Sequence, residues 1–137
     1  MINKIKKLLN NIKWLNAHEL VKNNKFKSLL KYLWFHISIK DNQIFSYNIL
    51  NQRVSIRKGH GSQTSFFTYL EDYNEMLFAL HYLSLNDRFV DIGANIGTYS
   101  LLMAGEKKCE VIAIEPMIKN YELLVENISS NKLTNNI

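Results

Sequence analysis

The sequence is poor in the residues that most often signal specialised chemistry. A single cysteine, Cys109, leaves no internal disulfide and no thiolate metal site. The four histidines, His18, His36, His60 and His81, share no metal-ligand spacing, so no metal is expected; His60, set between two glycines, is the one worth following. One proline and five glycines in 137 residues exclude collagen-like and low-complexity chains. There is no run of about 18 apolar residues, and no long apolar stretch follows the first lysines. The expectation is a cytoplasmic chain with neither a membrane span nor a secretory leader. A GxxxxGK(S/T) segment is also missing, which excludes a P-loop phosphate cradle. What remains can build a core: 47% of residues are hydrophobic and 21% charged, and the length fits one domain or part of one.

Charge is unevenly distributed. Residues 1–40 hold nine lysines against Glu19 alone, a balance of +8, whereas the remainder, with eight basic and eleven acidic residues, carries −3. Within this leader Ile2, Ile5, Leu8, Leu9, Ile12 and Leu15 recur at helical spacing between Lys4, Lys6, Lys7 and Lys13. A plain docked helix is the reading this pattern favours. An anionic membrane surface ranks second. Specific nucleic-acid contact ranks last, because no arginine accompanies the lysines and the guanidinium fork suits phosphate and guanine better.

Further along, Phe26, Leu29, Leu30, Leu33, Trp34 and Ile37 predict a second helix. From Gln43 the period becomes two. Ile44, Ser46 and Asn48 alternate with Phe45, Tyr47 and Ile49, Asn51-Gln52 forms a polar break, and Arg53 to Arg57 alternates again, which predicts a β-hairpin that ends at the turn signal Gly59 to Ser62, where a loop follows. Leu70, Tyr73, Leu77, Leu80 and Ser84, widened by Phe66, Met76 and Leu83, trace one helix from about Phe67 to Leu85, with Thr64 or Thr68 as its cap. Arg88 to Ile92 is a short apolar run stopped by Gly93, the pattern of a buried parallel strand. A helix from Thr98 to Ala104 with Gly105 at its C-cap follows, then a strand Val111 to Ile114. Pro116 then opens a helix whose buried stripe is Ile118, Tyr121, Val125 and Ile128. Alternating strands and helices imply a parallel sheet, hence an α/β fold.

The chemistry is concentrated in Asp91-Ile92-Gly93-Ala94-Asn95-Ile96-Gly97 and in Glu115, 22 residues after Gly93 at the tip of the next strand. Glycines at a strand-to-helix turn let a ligand approach the main chain, and the helix start points free N–H groups at it. An acid on the second strand can accept hydrogen bonds from two ribose hydroxyls. The spacing GxGxxG of a dinucleotide site is not met, because Asn95 takes the middle glycine position and Thr98 the last, so a nicotinamide or nucleotide-sugar enzyme is disfavoured. Plainer readings exist for each residue. Tight turns need glycine whatever they bind, Asp91 can serve as a capping acid, and Glu115 can face the helix dipole. Tyr99 and Ser100 read as packing and capping residues. Tyr73 and Glu75 read as a core aromatic and a solvated acid that lie close enough in sequence to reach the site.

Phe89-Val-Asp-Ile-Gly-Ala-Asn-Ile-Gly-Thr-Tyr-Ser100, with Ala113-Ile-Glu-Pro116, Asn120 to Leu124, Glu126-Asn-Ile128 and Asn131-Lys-Leu133, resembles the FkbM family of class I S-adenosylmethionine-dependent methyltransferases. The match is strong over residues 86–137 and loose over 44–85. It implies a truncated Rossmann-like parallel sheet opening, preceded by basic helices and a β-hairpin. By domain, residues 1–40 form a basic helical leader, 41–85 a hairpin-and-helix pre-domain, and 86–137 the N-terminal part of the methyltransferase domain. The resemblance implies S-adenosyl-L-methionine as cofactor. Asp91, Gly93, Asn95 and Gly97 would lie at its methionine and ribose end, and Glu115 on the ribose hydroxyls. It further implies O-methylation of a small molecule or sugar, with the adenine contact, substrate site and base expected beyond Ile137. No catalytic residue is therefore named, and the activity of the chain on its own is open. The alternative is a non-catalytic remnant that acts as an interaction module through its basic helices.

Overall fold

The computed structural model describes residues 10–13, 15–22, 24–59 and 63–137. The first nine residues of the expected leader helix, with residues 14, 23 and 60–62 and so His60, lie outside them. Helical residues 10–13 and 15–17 (α1) lead into α2 (Glu19–Lys22) and α3 (Lys25–Ser38). Then follow β1 (Ile44–Ile49), β2 (Gln52–Arg57), α4 (Thr64–Thr68), α5 (Tyr73–Tyr82), β3 (Arg88–Ile92), α6 (Thr98–Glu106), β4 (Glu110–Ile114) and α7 (Ile118–Ser130). β1 and β2 form the expected antiparallel hairpin, with Ile49 opposite Gln52, so the turn is Leu50-Asn51, one residue earlier than the polar break suggested. β3 and β4 pair in parallel, with Asp91 beside Ala113 and Ile92 beside Ile114.

α6 is the centre of the molecule. It touches β2, β3, β4 and α5, and Ser100 to Gly105 are all buried along with Thr98. A helix covered on every side needs small and apolar residues throughout, and the sequence Thr-Tyr-Ser-Leu-Leu-Met-Ala-Gly supplies them. Gly105 is therefore not the C-cap, which falls on Lys107. It lies inside the helix, where the Gln52 side chain of the hairpin fills the space a Cβ would need.

Three further expectations change. The long helix of residues 67–85 is two helices, broken where Tyr69 takes a positive φ of 67°. The break lets α4 turn Phe66 and Phe67 into the aromatic core under α3 while α5 packs on α6, two directions that one straight helix cannot serve. Neither Thr64 nor Thr68 caps α4, because Gln63 holds that position and the Thr68 hydroxyl donates to the Thr64 carbonyl. In α7 the buried residues are Leu123, Leu124, Asn127 and Ile128, whereas Ile118, Tyr121 and Val125 face outward. α3 is likewise turned round: it docks through Ser28, Tyr32 and Phe35, continued by Ile39, and the apolar residues that announced the helix mostly point away from the core.

The hairpin is fastened to α7 by side-chain amides. Asn131 Oδ1 accepts from the Arg53 N–H and its Nδ2 donates to the Arg53 carbonyl, both at 2.7 Å. Asn127 repeats this two residues along the strand, accepting from Ser55 N at 2.7 Å and donating to Ser55 O at 3.1 Å. Asn127 within α7 and Asn131 at its C-cap, four residues apart, thus complete the outer edge of β2 as another strand would. On the β3–β4 sheet one face packs inward through Phe89, Val111 and Ala113, while Val90, Ile92, Ile112 and Ile114 are exposed on the other. No described helix is long and apolar enough to cross a membrane.

Candidate functional site

The site residues named from sequence gather at the carboxyl end of the two parallel strands. Gly93, with φ 80°, turns the chain out of β3, and its N–H and that of Ala94 both donate to the Ile114 carbonyl at 2.8 and 3.0 Å. Asn95 follows at φ 53°, a left-handed conformation that asparagine tolerates better than other side chains. Its N–H donates to Glu115 Oε2 at 2.8 Å, while Glu115 Oε1 accepts from Met117 N at 2.8 Å. Glu115 therefore joins the glycine loop to the start of α7. One backbone donor on each oxygen leaves lone pairs on both.

The two glycines of the loop do different work. A methyl group built on Gly93 meets nothing within 4 Å, so the loop is open there to a ligand. One built on Gly97, at φ 89°, stands 2.5 Å from Leu124 Cδ1. Gly97 is set by its left-handed backbone and by the Leu124 side chain of α7 packed against it.

Asp91 takes the capping role. Its Oδ2 accepts from Ser100 N at 3.1 Å and from the Ser100 hydroxyl at 2.6 Å, tying the strand to the first turn of α6. Burial pushes its carboxyl above the usual aspartate range, against the pull of the two Ser100 bonds, and the charge of Glu115 adds to the rise. Tyr99 stacks near Phe89 and donates to Asp72 Oδ2 at 3.3 Å; burial and the acids Asp72, Glu75 and Glu71 raise its phenol. Tyr73 packs edge-on to His18, and Glu75 stays exposed.

Asn127, which the motif spacing does not mark as a site residue, supports the loop. Fully buried, it donates a further hydrogen bond to the Ile96 carbonyl at 2.9 Å, between Asn95 and Gly97, so it holds the glycine loop and the hairpin at once. The signal available in the sequence was a pair of asparagines four apart on an otherwise apolar helix face. Among the described residues no cluster could hold a metal ion. A cavity of about 350 Å³ lies among the leading helices, beside Tyr32 and His36, and no residue of the glycine loop lines it.

A loop of this kind, outside the carboxyl end of parallel strands with helices behind it, is where open α/β folds bind their ligands. Solved structures with that fold are similar to this chain. TYW2 of P. horikoshii, solved in complex with MeSAdo, superposes with a TM-score of 0.58 at 18% identity over 87% of this chain and 48% of its own. TYW2 of M. jannaschii, solved with AdoMet, gives 0.57 at 26% identity over 74% of this chain and 44% of its own. The candidate transferase PH0793 of Pyrococcus horikoshii gives 0.59 at 19% identity over 81% and 45%. The chain thus spans less than half the length of each. No family model and no curated protein matches the sequence.

Proposed function

We propose that the chain is the cofactor-holding part of an S-adenosylmethionine-dependent methyltransferase of FkbM type, acting on an oxygen of a small molecule or sugar. The observation that carries the reading is the joint placement of Glu115 and the open Gly93 at the ends of adjacent parallel strands. The likeness to TYW2 structures solved with AdoMet and MeSAdo supports the cofactor. FkbM type and the oxygen acceptor rest on the motif resemblance.

The residues fit the group. Glu115 retains acceptor capacity for two ribose hydroxyls, Gly93 gives the backbone clearance that a methionine arm needs, and Asn95 extends the same wall. Asp91 supports the floor through Ser100, and Gly97 lets α6 start close behind it. When bound, the cofactor supplies a methyl group activated by its sulfonium. The work left to these side chains is orientation, which accounts for much of the catalysis of such a displacement.

Isothermal titration with S-adenosylhomocysteine tests the cofactor, and transfer of a labelled methyl group to an added acceptor tests the reaction. We expect binding that Gly93→Val abolishes, with its far-UV circular dichroism kept. Glu115→Ala should weaken it by about 10- to 100-fold through loss of charge-assisted hydrogen bonds. Binding of NADH in place of S-adenosylhomocysteine, or label retained on the adenosine product, overturns the reading.

A further inference from the structure

α3 carries apolar residues on two opposite sides. Tyr32, Phe35 and Ile39 are buried, while Phe26, Leu30, Leu33, Trp34 and Ile37 are 74, 51, 39, 49 and 82% exposed. Steps of four, three, one and three residues put these five on a single strip along the helix. A helix lying on a domain surface ordinarily shows water a charged face, yet nothing polar interrupts this strip. Its surroundings are cationic. Lys25 and Lys27 stand on either side of Phe26, and Lys40 follows the end of the helix. All three are exposed and, among the described residues, in no ion pair. The other lysines nearby are committed elsewhere. Lys22 pairs with Glu19, Lys31 donates to the Phe66 carbonyl and sits over the Tyr69 ring, and Lys58 donates to the Ile39 carbonyl at the end of α3.

We propose that this face of α3 docks on an anionic lipid bilayer. Phe26, Leu30, Leu33 and Ile37 enter the boundary between headgroups and acyl chains, Trp34 lies at the edge of the strip with one side against Phe45 and Phe66, and Lys25, Lys27 and Lys40 meet lipid phosphates. Charge selects this occupant. A second copy on the same face would set Lys25, Lys27 and Lys40 against other lysines, whereas an anionic surface is complementary. Length agrees: fourteen residues make a rod of about 21 Å, too short to span the hydrocarbon but suited to lying in its surface. Trp34 and Phe26 are the side-chain type that settles at that depth. The inference stands apart from the cofactor reading, since no residue of the glycine loop takes part.

Co-sedimentation of the full chain with phosphatidylglycerol–phosphatidylcholine vesicles tests it, against pure phosphatidylcholine. In a Trp14→Phe background Trp34 is the sole tryptophan, so a blue shift of its emission reports entry into the lipid. We expect binding to the anionic vesicles only, weakened by salt. Ile37→Asp and Phe26→Ser should each lower it about tenfold or more, with the helical circular dichroism unchanged because both residues are exposed. Lys25→Glu with Lys27→Glu should lower it while leaving the apolar strip intact. Val125→Asp, on an exposed face of α7, should not change it. Equal binding to neutral vesicles, an Ile37→Asp variant that binds as the parent does, or a dimer that Ile37→Asp dissolves would each overturn the proposal, the last by assigning the face to a second copy.

Discussion

Around Phe35 the leading layer is held by ring contacts, with Phe45, Phe66 and Phe67 at centroid distances of 5.4, 5.7 and 5.3 Å. Around Asn127 the glycine-loop part is held by directional hydrogen bonds to Ser55 and Ile96, helped by Glu115 on Asn95 and Asp91 on Ser100. Both arrangements exclude water, but they restrict the chain differently. Ring packing stabilises through buried area and accepts a range of angles. An amide shared between two backbone carbonyls fixes where those carbonyls lie. A ligand that must meet main-chain atoms needs the second kind of support, and that is where it is found.

Deleting the centre of each arrangement should separate the two effects. Phe35→Ala, at a fully buried ring, should cost about 3–5 kcal/mol in urea unfolding while leaving the amide resonances of Asn95 to Gly97 nearly unmoved. Asn127→Ala should cost about 2–3 kcal/mol, because buried backbone groups lose their partners, and should shift the resonances of Ile96 and Gly97 with no ligand present. Asn131→Ala, which touches the hairpin and α7 but not the loop, should leave those resonances in place; equal shifts from the two asparagine variants would dissolve the distinction.

The smallest effect concerns Asp91, whose carboxyl burial pushes upward. A group whose pKa rises on folding adds stability that is full below its unfolded pKa, about 4 for aspartate, and is lost as pH rises through the folded value. At neutral pH Asp91→Asn, which keeps an oxygen for Ser100 without the charge, should melt at or slightly above the parent. The gap should close as the solution is acidified, and a gap that widens in acid would contradict the assigned cause.

Legibility followed the same divide. β3 runs from Arg88 to Ile92 as read from the sequence, because a short apolar run stopped by glycine is local information, but it is exposed on one face where a buried strand was expected. Gathering of Gly93, Asn95 and Glu115 could also be read, from spacing and motif. Helix faces could not. α3 and α7 are apolar on more than one side, so their spacing is helical whichever side docks, and the partner decides: aromatic rings for α3, the edge of β2 for α7. Gly105 and Asn127 were opaque for the same reason, since each answers to the hairpin, which lies more than fifty residues away in sequence.

That distance also bears on the order of events as the chain is made. Ser55 and Arg53 lie 72 and 78 residues before the asparagines that complete their strand edge. The hairpin can pair locally as soon as it leaves the ribosome, but its outer edge has no amide partners until α7 has emerged. Until then a growing chain presents a bare strand edge to whatever is nearby, and a helix made more than sixty residues after the hairpin is the one that closes it.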